Sequence, residues 1–295
     1  MFPSVTARSG YAARTSLHHA FVAYYRRNGH AHASQLIRDR FKLAQENGLS
    51  LEELASLELS TLFAALHNSI LAAFWVVYHV YADKQLLRDL RKELGVQVRD
   101  KSDKVEKGEA AGEESKSDDE KNKDQATPLL TSLIKETLRV HSASATTRYV
   151  TTDTTLSSIP SPLSTEKEGY LLKSGSLVVI PTEHVHNNPS IWGADATTFN
   201  PYRFHKHTTG VKIDGSRISS AAFRAFGAGT HICPGRFLAG MGVESLVKIL
   251  VKGWELDAVS GDWELGMGVA NDVSEGVRPP DGDIEVCFRR RGDVI

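Results

Sequence analysis

The residue best suited to chemistry in this sequence is Cys233, which stands in Phe226-Gly-Ala-Gly-Thr-His-Ile-Cys-Pro-Gly-Arg-Phe-Leu-Ala239. Gly227 and Gly229 permit a tight turn, Pro234 fixes one backbone angle, and Gly235 opens an apolar helix that continues through Leu246 and Ile249. A cysteine just ahead of a helix start meets unpaired N–H groups and the positive end of the helix dipole, which favour the thiolate over the thiol. The reading is a metal-binding thiolate, with a buried structural cysteine beside a packing glycine as the alternative. Two other places carry candidate chemistry. Glu136 and Arg139, three apart in a helical stretch, can pair on one face. On a solvated helix such a pair contributes little. Asn68-Ser69 sets an amide beside a hydroxyl, a pair that can hold a water and relay a proton or simply bond to carbonyls of its own helix. His184 and His186 lack carboxylate or cysteine companions and are assigned no metal, and His18, His19, His30 and His32 read as solvated histidines.

The elements that must position these groups follow from periodicity. Helices are expected over Ala12–Asn28 with Gly29 as the stop, and over Ala33–Asn47 with Gly48 as the stop. A capping box at Ser50-Leu-Glu-Glu53 opens a long helix to about Ala82, whose stretch Leu62–Tyr81 is apolar enough to mimic a membrane span. His67, Asn68, Ser69 and His79 interrupt that stretch, so the expectation is a central helix buried in protein. Asp83 begins a short helix stopped by Gly95, and Thr127-Pro128 caps and starts a helix to Val140. Short strands are expected at Thr146–Thr151 and Ile284–Phe288, and a hairpin joins Tyr170–Leu172 to Leu177–Ile180 across Lys173-Ser-Gly-Ser176. On the last strand Cys287 reads as packing or as an exposed edge thiol, and Arg289–Arg291 as a solvated basic end.

Composition narrows the function. With 295 residues and 41% hydrophobic content the chain can bury a large core, and a net charge of −1 argues against a basic nucleic-acid surface. Its 2 cysteines make no disulfide framework and no four-ligand zinc spacing, which fits a reducing, intracellular setting. The first residues are too polar for a secretory signal or a membrane anchor. From Arg99 to Asp124 nearly every residue is charged or small, so 99–126 reads as a disordered charged insertion between a helical region, 1–98, and a cysteine-bearing region, 127–295.

The spacing Phe-x-x-Gly-x-x-x-Cys-x-Gly at Phe226, Gly229, Cys233 and Gly235 resembles the cytochrome P450 haem-thiolate family. Shuffling 11 Phe, 23 Gly and 2 Cys through this length would produce it about 0.0005 times per chain. Phe199-Asn-Pro-Tyr-Arg-Phe204 is similar to the family's Pro-x-Arg-Phe element, and His186 to Pro189, followed by Trp192, to its structural His-x-x-Pro turn. The resemblance implies a mainly α fold with small β-sheets, lacking the family's N-terminal part. It implies haem b (iron protoporphyrin IX) with Cys233 as axial iron ligand, and a triad in which Arg203 joins Glu136 and Arg139 to fix the loop behind the haem. Arg148 and His231 match positions that pair haem propionates. It further implies dioxygen activation with electrons from an NADPH-dependent reductase, docking near Arg236, and insertion of one oxygen atom into an apolar lipid, sterol or secondary metabolite. Asn68-Ser69 stands where most members carry an acid followed by Thr, and looks more like the branch that contains cholesterol 7α-hydroxylase and prostacyclin synthase. Isomerase or dehydratase action on a peroxide is therefore the alternative activity, and a non-catalytic fragment the alternative class. The family setting is the cytoplasmic face of the endoplasmic reticulum membrane, reached through parts missing here, so that the chain itself is expected to be soluble.

Overall fold

The computed structural model describes residues 6–96, 127–157, 169–205, 212–213, 216–217, 219–267 and 276–292. The stretch 99–126, expected to be a disordered insertion, lies outside the described residues. As expected, the described chain is mostly helical with small antiparallel sheets. It divides into two compact units, one ending at Asn68 and the other beginning at Ser69.

The first unit holds α1 (Arg8–Arg26), a short turn of 3-10 helix, Gly29–His32, α2 (Gln35–Glu46) and the first part of α3 (Leu51–Ala82). Its core is small: Tyr25, Ala44 and Leu54, flanked by Phe21, Phe41 and Leu51. The chain leaves α1 through Asn28, whose φ of 59° is left-handed, and not through Gly29. Gly29 is needed for space instead, since a Cβ there would sit 2.4 Å from the Tyr24 ring. His30 is not solvated as expected. Its ring stacks on Phe41 at 3.6 Å, because the turn folds it back onto the core. Gly48, with φ 70°, closes α2 as its N–H reaches Gln45 C=O and the Leu49 N–H reaches Ala44 C=O, which satisfies the last carbonyls. The capping box opening α3 is formed, with Ser50 N–H donating to Glu53 at 2.8 Å and Glu53 N–H to Ser50 Oγ at 3.2 Å.

In the second unit the rest of α3 packs with α4 (Lys84–Glu93), α5 (Pro128–His141) and α8 (Arg236–Gly253) around Trp75, Val76, Val80, Leu90, Leu133 and Val247. Asp83 caps α4 by accepting from Gln85 and Leu86 N–H groups, and Gly95, with φ 68°, ends it. Thr127 occupies the N-cap position of α5 but makes no capping bond. Glu93 of α4 does that work, accepting from Leu129 and Leu130 N–H groups at 2.7 and 3.1 Å. A carboxylate at the positive end of the helix dipole is the stronger acceptor, and Thr127 is left to bond Glu244 at 3.1 Å.

The strands correct one expectation. β1 (Ala145–Tyr149) pairs with β4 (Leu177–Pro181), and β2 (Thr154–Ser157) pairs with β3 (Gly169–Leu172), so the outer pair encloses the inner one and β3 does not form a hairpin with β4. The turn at Lys173–Ser176 exists, with Ser176 N–H on Lys173 C=O at 3.1 Å and Gly175 at φ 88°. Positive φ confined to its third residue does not match the twist of a tight two-residue hairpin, which prefers primed turns. Asp153 holds the turn instead, accepting from Lys173 Nζ and Ser174 N–H, both at 2.9 Å. Two one-turn helices follow, α6 (Thr182–His186) and α7 (Pro189–Trp192). The backbone pairs β5 (Lys212–Ile213) with β6 (Ser216–Arg217) and β8 (Gly266–Met267) with β9 (Pro280–Asp281). After α8, β7 (Trp254–Ala258) pairs with β10 (Val286–Arg290), leaving Cys287 exposed opposite Asp257. Arg291 is not solvated as expected: it meets Glu255 at 2.8 Å, and Glu255 also takes Arg91 at 2.8 Å.

The long helix α3 is not buried along its length. Residues 61–68 are exposed throughout, with Phe63 65% exposed. It is long and apolar enough to cross a membrane by length and composition.

Candidate cofactor site

A buried ionic cluster joins α5 to the segment of Asn200 and Arg203. Glu136 and Arg139 on α5 are both 0% exposed and meet in a two-bond fork, Arg139 Nε and Nη2 each 2.8 Å from one carboxylate oxygen. Arg203 adds its Nε at 3.0 and 3.1 Å from the two oxygens, and the Asn200 N–H donates to the first at 2.9 Å. The remaining guanidinium donors are also spent: Arg139 on the carbonyls of His186, Ala196 and Thr198, and Arg203 on Trp192 C=O and both oxygens of Asp195. Full satisfaction is what makes a buried carboxylate between two cations tolerable. The hydrogen bond from Arg203 holds the Asp195 carboxyl below its usual range. Ser132 of α5 pins the same segment by donating to Pro201 C=O at 2.6 Å and accepting from Phe204 N–H at 2.9 Å.

The loop itself turns twice through left-handed glycines, Gly227 at φ 75° and Gly229 at φ 70°. The Cys233 N–H closes it on Phe226 C=O at 2.9 Å. Phe226 is half-buried against the core of the second unit, while Cys233 is free and exposed. Gly235 is the N-cap of α8, and a Cβ on it would lie 3.7 Å from Cys233 Sγ. Arg236 donates to Cys233 C=O at 3.0 Å. Arg148, reaching over from β1, donates to Ala228 C=O at 2.9 Å and lies beside Gly229. His231 is exposed in the turn Gly229–His231. From here α8 buries Val243, Val247 and Val251 and leaves Phe237, Leu238 and Met241 exposed.

The donor set fits a ligand that brings most of its own coordination. Among the described residues no group of three or more His, Cys, Asp or Glu side chains could complete a metal shell of protein ligands. Glycines around an exposed thiol, an apolar surface next to it and a guanidinium alongside suit a flat apolar macrocycle with carboxylate substituents.

Comparison with known proteins agrees: the description "Cytochrome P450" matches residues 23–265. The chain belongs to the cytochrome P450 family. Cytochrome P450 monooxygenase nodJ of Hypoxylon pulicicidum is 27% identical over 295 residues, 99% of this chain and 54% of that protein. Cytochrome P450 7A1 of Oryctolagus cuniculus is 26% identical over 263 residues, 88% of this chain and 50% of that protein. The 25-hydroxycholesterol 7-alpha-hydroxylase of Rattus norvegicus is 27% identical over 265 residues, 88% of this chain and 59% of that protein. The chain thus spans about half the length of the P450 relatives it matches.

Within this P450 chain the fold brings Glu136, Arg139 and Arg203 together, and separately brings Arg148 to the loop of Phe226, Gly229, His231, Cys233 and Gly235. Asn68 is exposed and Ser69 half-buried, and they lie on α3 at the division between the two units. Sequence reasoning missed three groups. Asp195 had no signal beyond proximity to Arg203 in the chain. The His79 and His141 rings meet at Nε2–Nε2 2.9 Å, stacked on Phe199 at 3.7 Å and Trp75 at 4.0 Å respectively. Burial lowers both pKa values, and for His141 the charges of His79 and Arg278 add to it. The pairing joins residues 62 apart in sequence, which no spacing rule detects. His186 was read only as part of a turn, yet its ring is fully buried and bonded at both nitrogens.

Proposed function

We propose that this chain forms the cysteine-ligand part of a haem-thiolate monooxygenase acting on an apolar organic substrate. The observation that carries it is an exposed cysteine at the mouth of α8 on a twice-turned glycine loop, backed by the fully bonded Glu136 cluster. When bound, haem b supplies reductive activation of dioxygen, with electrons from an NADPH-dependent reductase that meets the Arg236 face. Cys233, as thiolate, would hold its iron. Arg148 and His231 pair with the propionate carboxylates, and Gly229 and Gly235 keep side chains from crowding the macrocycle. Phe226 anchors the loop in the core. Asn68 and Ser69 hold a water and deliver protons on the oxygen side. The printed name of one relative, 25-hydroxycholesterol 7-alpha-hydroxylase, supports a lipid or sterol substrate, and the setting proposed with it is the endoplasmic reticulum membrane.

The test is the reduced, CO-bound absorption spectrum of purified protein supplied with haem. A red-shifted Soret band is expected for wild type and Cys287→Ser and none for Cys233→Ser. No such band in wild type, or equal loss in both variants, sinks the assignment. Because Asn68-Ser69 replaces the acid-Thr pair, a second reading is peroxide isomerisation; turnover of a peroxide without reductase or NADPH would select it.

A further inference from the structure

We propose that His186 is a positioning residue that couples the buried Glu136–Arg139–Arg203 cluster to the cysteine loop; the role of that loop rests on the haem-thiolate reading. The His186 ring reaches the Arg139 C=O with Nδ1 at 2.8 Å and the Arg224 N–H with Nε2 at 2.9 Å. A carbonyl only accepts and an N–H only donates, so these partners fix the neutral tautomer with the proton on Nδ1. Arg139 answers with Nη1 on the His186 C=O at 2.6 Å, so the two residues grip each other through side chain and backbone. Phe223 stacks on the ring at 5.7 Å and Trp192 meets its edge at 6.0 Å, which holds the imidazole plane.

From Arg224 the connection runs into the loop. The Arg224 C=O accepts from Gly227 N–H at 2.9 Å, the first left-handed glycine, and the neighbouring Phe226 C=O accepts from Cys233 N–H at 2.9 Å. One imidazole therefore ties the helix that carries Glu136 to the backbone from which the loop starts. Arg148 holds the loop at Ala228, further along. Without the imidazole the segment keeps that contact and the apolar packing of Phe223 and Phe226, but loses its hydrogen-bonded tie to α5. Burial pushes the His186 pKa down to about 4, so the required neutral form persists through the physiological range.

The variant His186→Phe keeps a stacking ring and deletes both bonds, whereas His186→Gln can donate from its amide nitrogen and accept at its oxygen. Hydrogen–deuterium exchange on the haem-free full chain is the first readout. Amides of Arg224–Cys233 are expected to exchange about tenfold faster in His186→Phe, with α4 and the buried turns of α8 unchanged, and to return toward wild-type rates in His186→Gln. Unchanged loop exchange in His186→Phe, or equal acceleration over the whole chain, overturns the proposal. If His186→Phe does not fold, His186→Ala takes its place in the same measurement: faster exchange confined to the loop upholds the coupling, and unchanged loop exchange refutes it. The second readout is the reduced, CO-bound spectrum of haem-loaded protein, in which the thiolate-type band is expected to fall by about half in His186→Phe at matched haem content and to recover in His186→Gln. A wild-type sample with no such band would overturn the haem-thiolate reading and leave the exchange arm to judge His186.

Discussion

Glu136 is the residue on which most of the arrangement depends. Both its oxygens are occupied by two guanidiniums and one backbone N–H in a site closed to water. Removing the charge there leaves the buried Arg139 without a carboxylate partner, while Arg203 keeps Asp195, so Glu136→Gln is expected to lower unfolding stability by about 3–5 kcal/mol in urea titration. Glu52→Gln, which breaks an exposed pair with Arg26, should stay within measurement scatter. Equal effects of the two would refute the distinction between buried and exposed pairs. On the proposed function, Asn68→Asp is expected to change the fraction of consumed dioxygen that appears as product, measured with reductase and NADPH. An unchanged fraction would return Asn68 to a helix-bonding role.

At the level of elements, glycine has two opposite meanings in this chain. Gly229 sits at φ 70°, where a side chain costs about 1–2 kcal/mol, so Gly229→Ala should weaken the loop and reduce haem uptake in titration. Gly10 lies inside α1 with nothing within 4 Å of a built Cβ. Gly10→Ala is therefore expected to raise stability by about 0.5–1 kcal/mol, read as a shift in denaturation midpoint. A loss at Gly10 or a gain at Gly229 would contradict the backbone geometry. Helix α3 joins the two units and carries an exposed apolar middle, whereas its C-terminal turns are core. Its uniform apolar composition concealed that difference, because periodicity reports a face and not whether anything covers it.

For the whole molecule, the buried His141 and His186 and the half-buried His79 set a pH dependence. Burial lowers the pKa of His79, His141 and His186 below the ordinary 6.5, with His79 and His186 each at about 4. The unfolded chain then binds more protons than the folded one between about pH 4 and 6.5, so stability is fully present above that window and is lost as pH falls through it. Unfolding free energies measured at about pH 7.5 and pH 5 should fall on acidification by a few kcal/mol in all. A flat or rising profile would mean that these rings are hydrated in the folded state.

Much of this protein was legible in its residues. The glycine-spaced cysteine, the capping box at Ser50, the stop at Gly48 and the helical character of most segments are local, because φ preferences, caps and dipoles act within a turn or two of chain. What only the tertiary structure decided are the meetings across long separations: Arg203 with Glu136, 67 residues apart; His79 with His141; Glu93 capping α5; and the nesting of β2–β3 inside β1–β4. Hydrogen bonds and burial reward such contacts only after the chain has closed its loops, and nothing in local spacing records which partner a buried donor will find. The sequence by itself determined where the glycine-spaced cysteine turn lies; packing determined that His186 links the Glu136–Arg139 helix to the backbone leading into it.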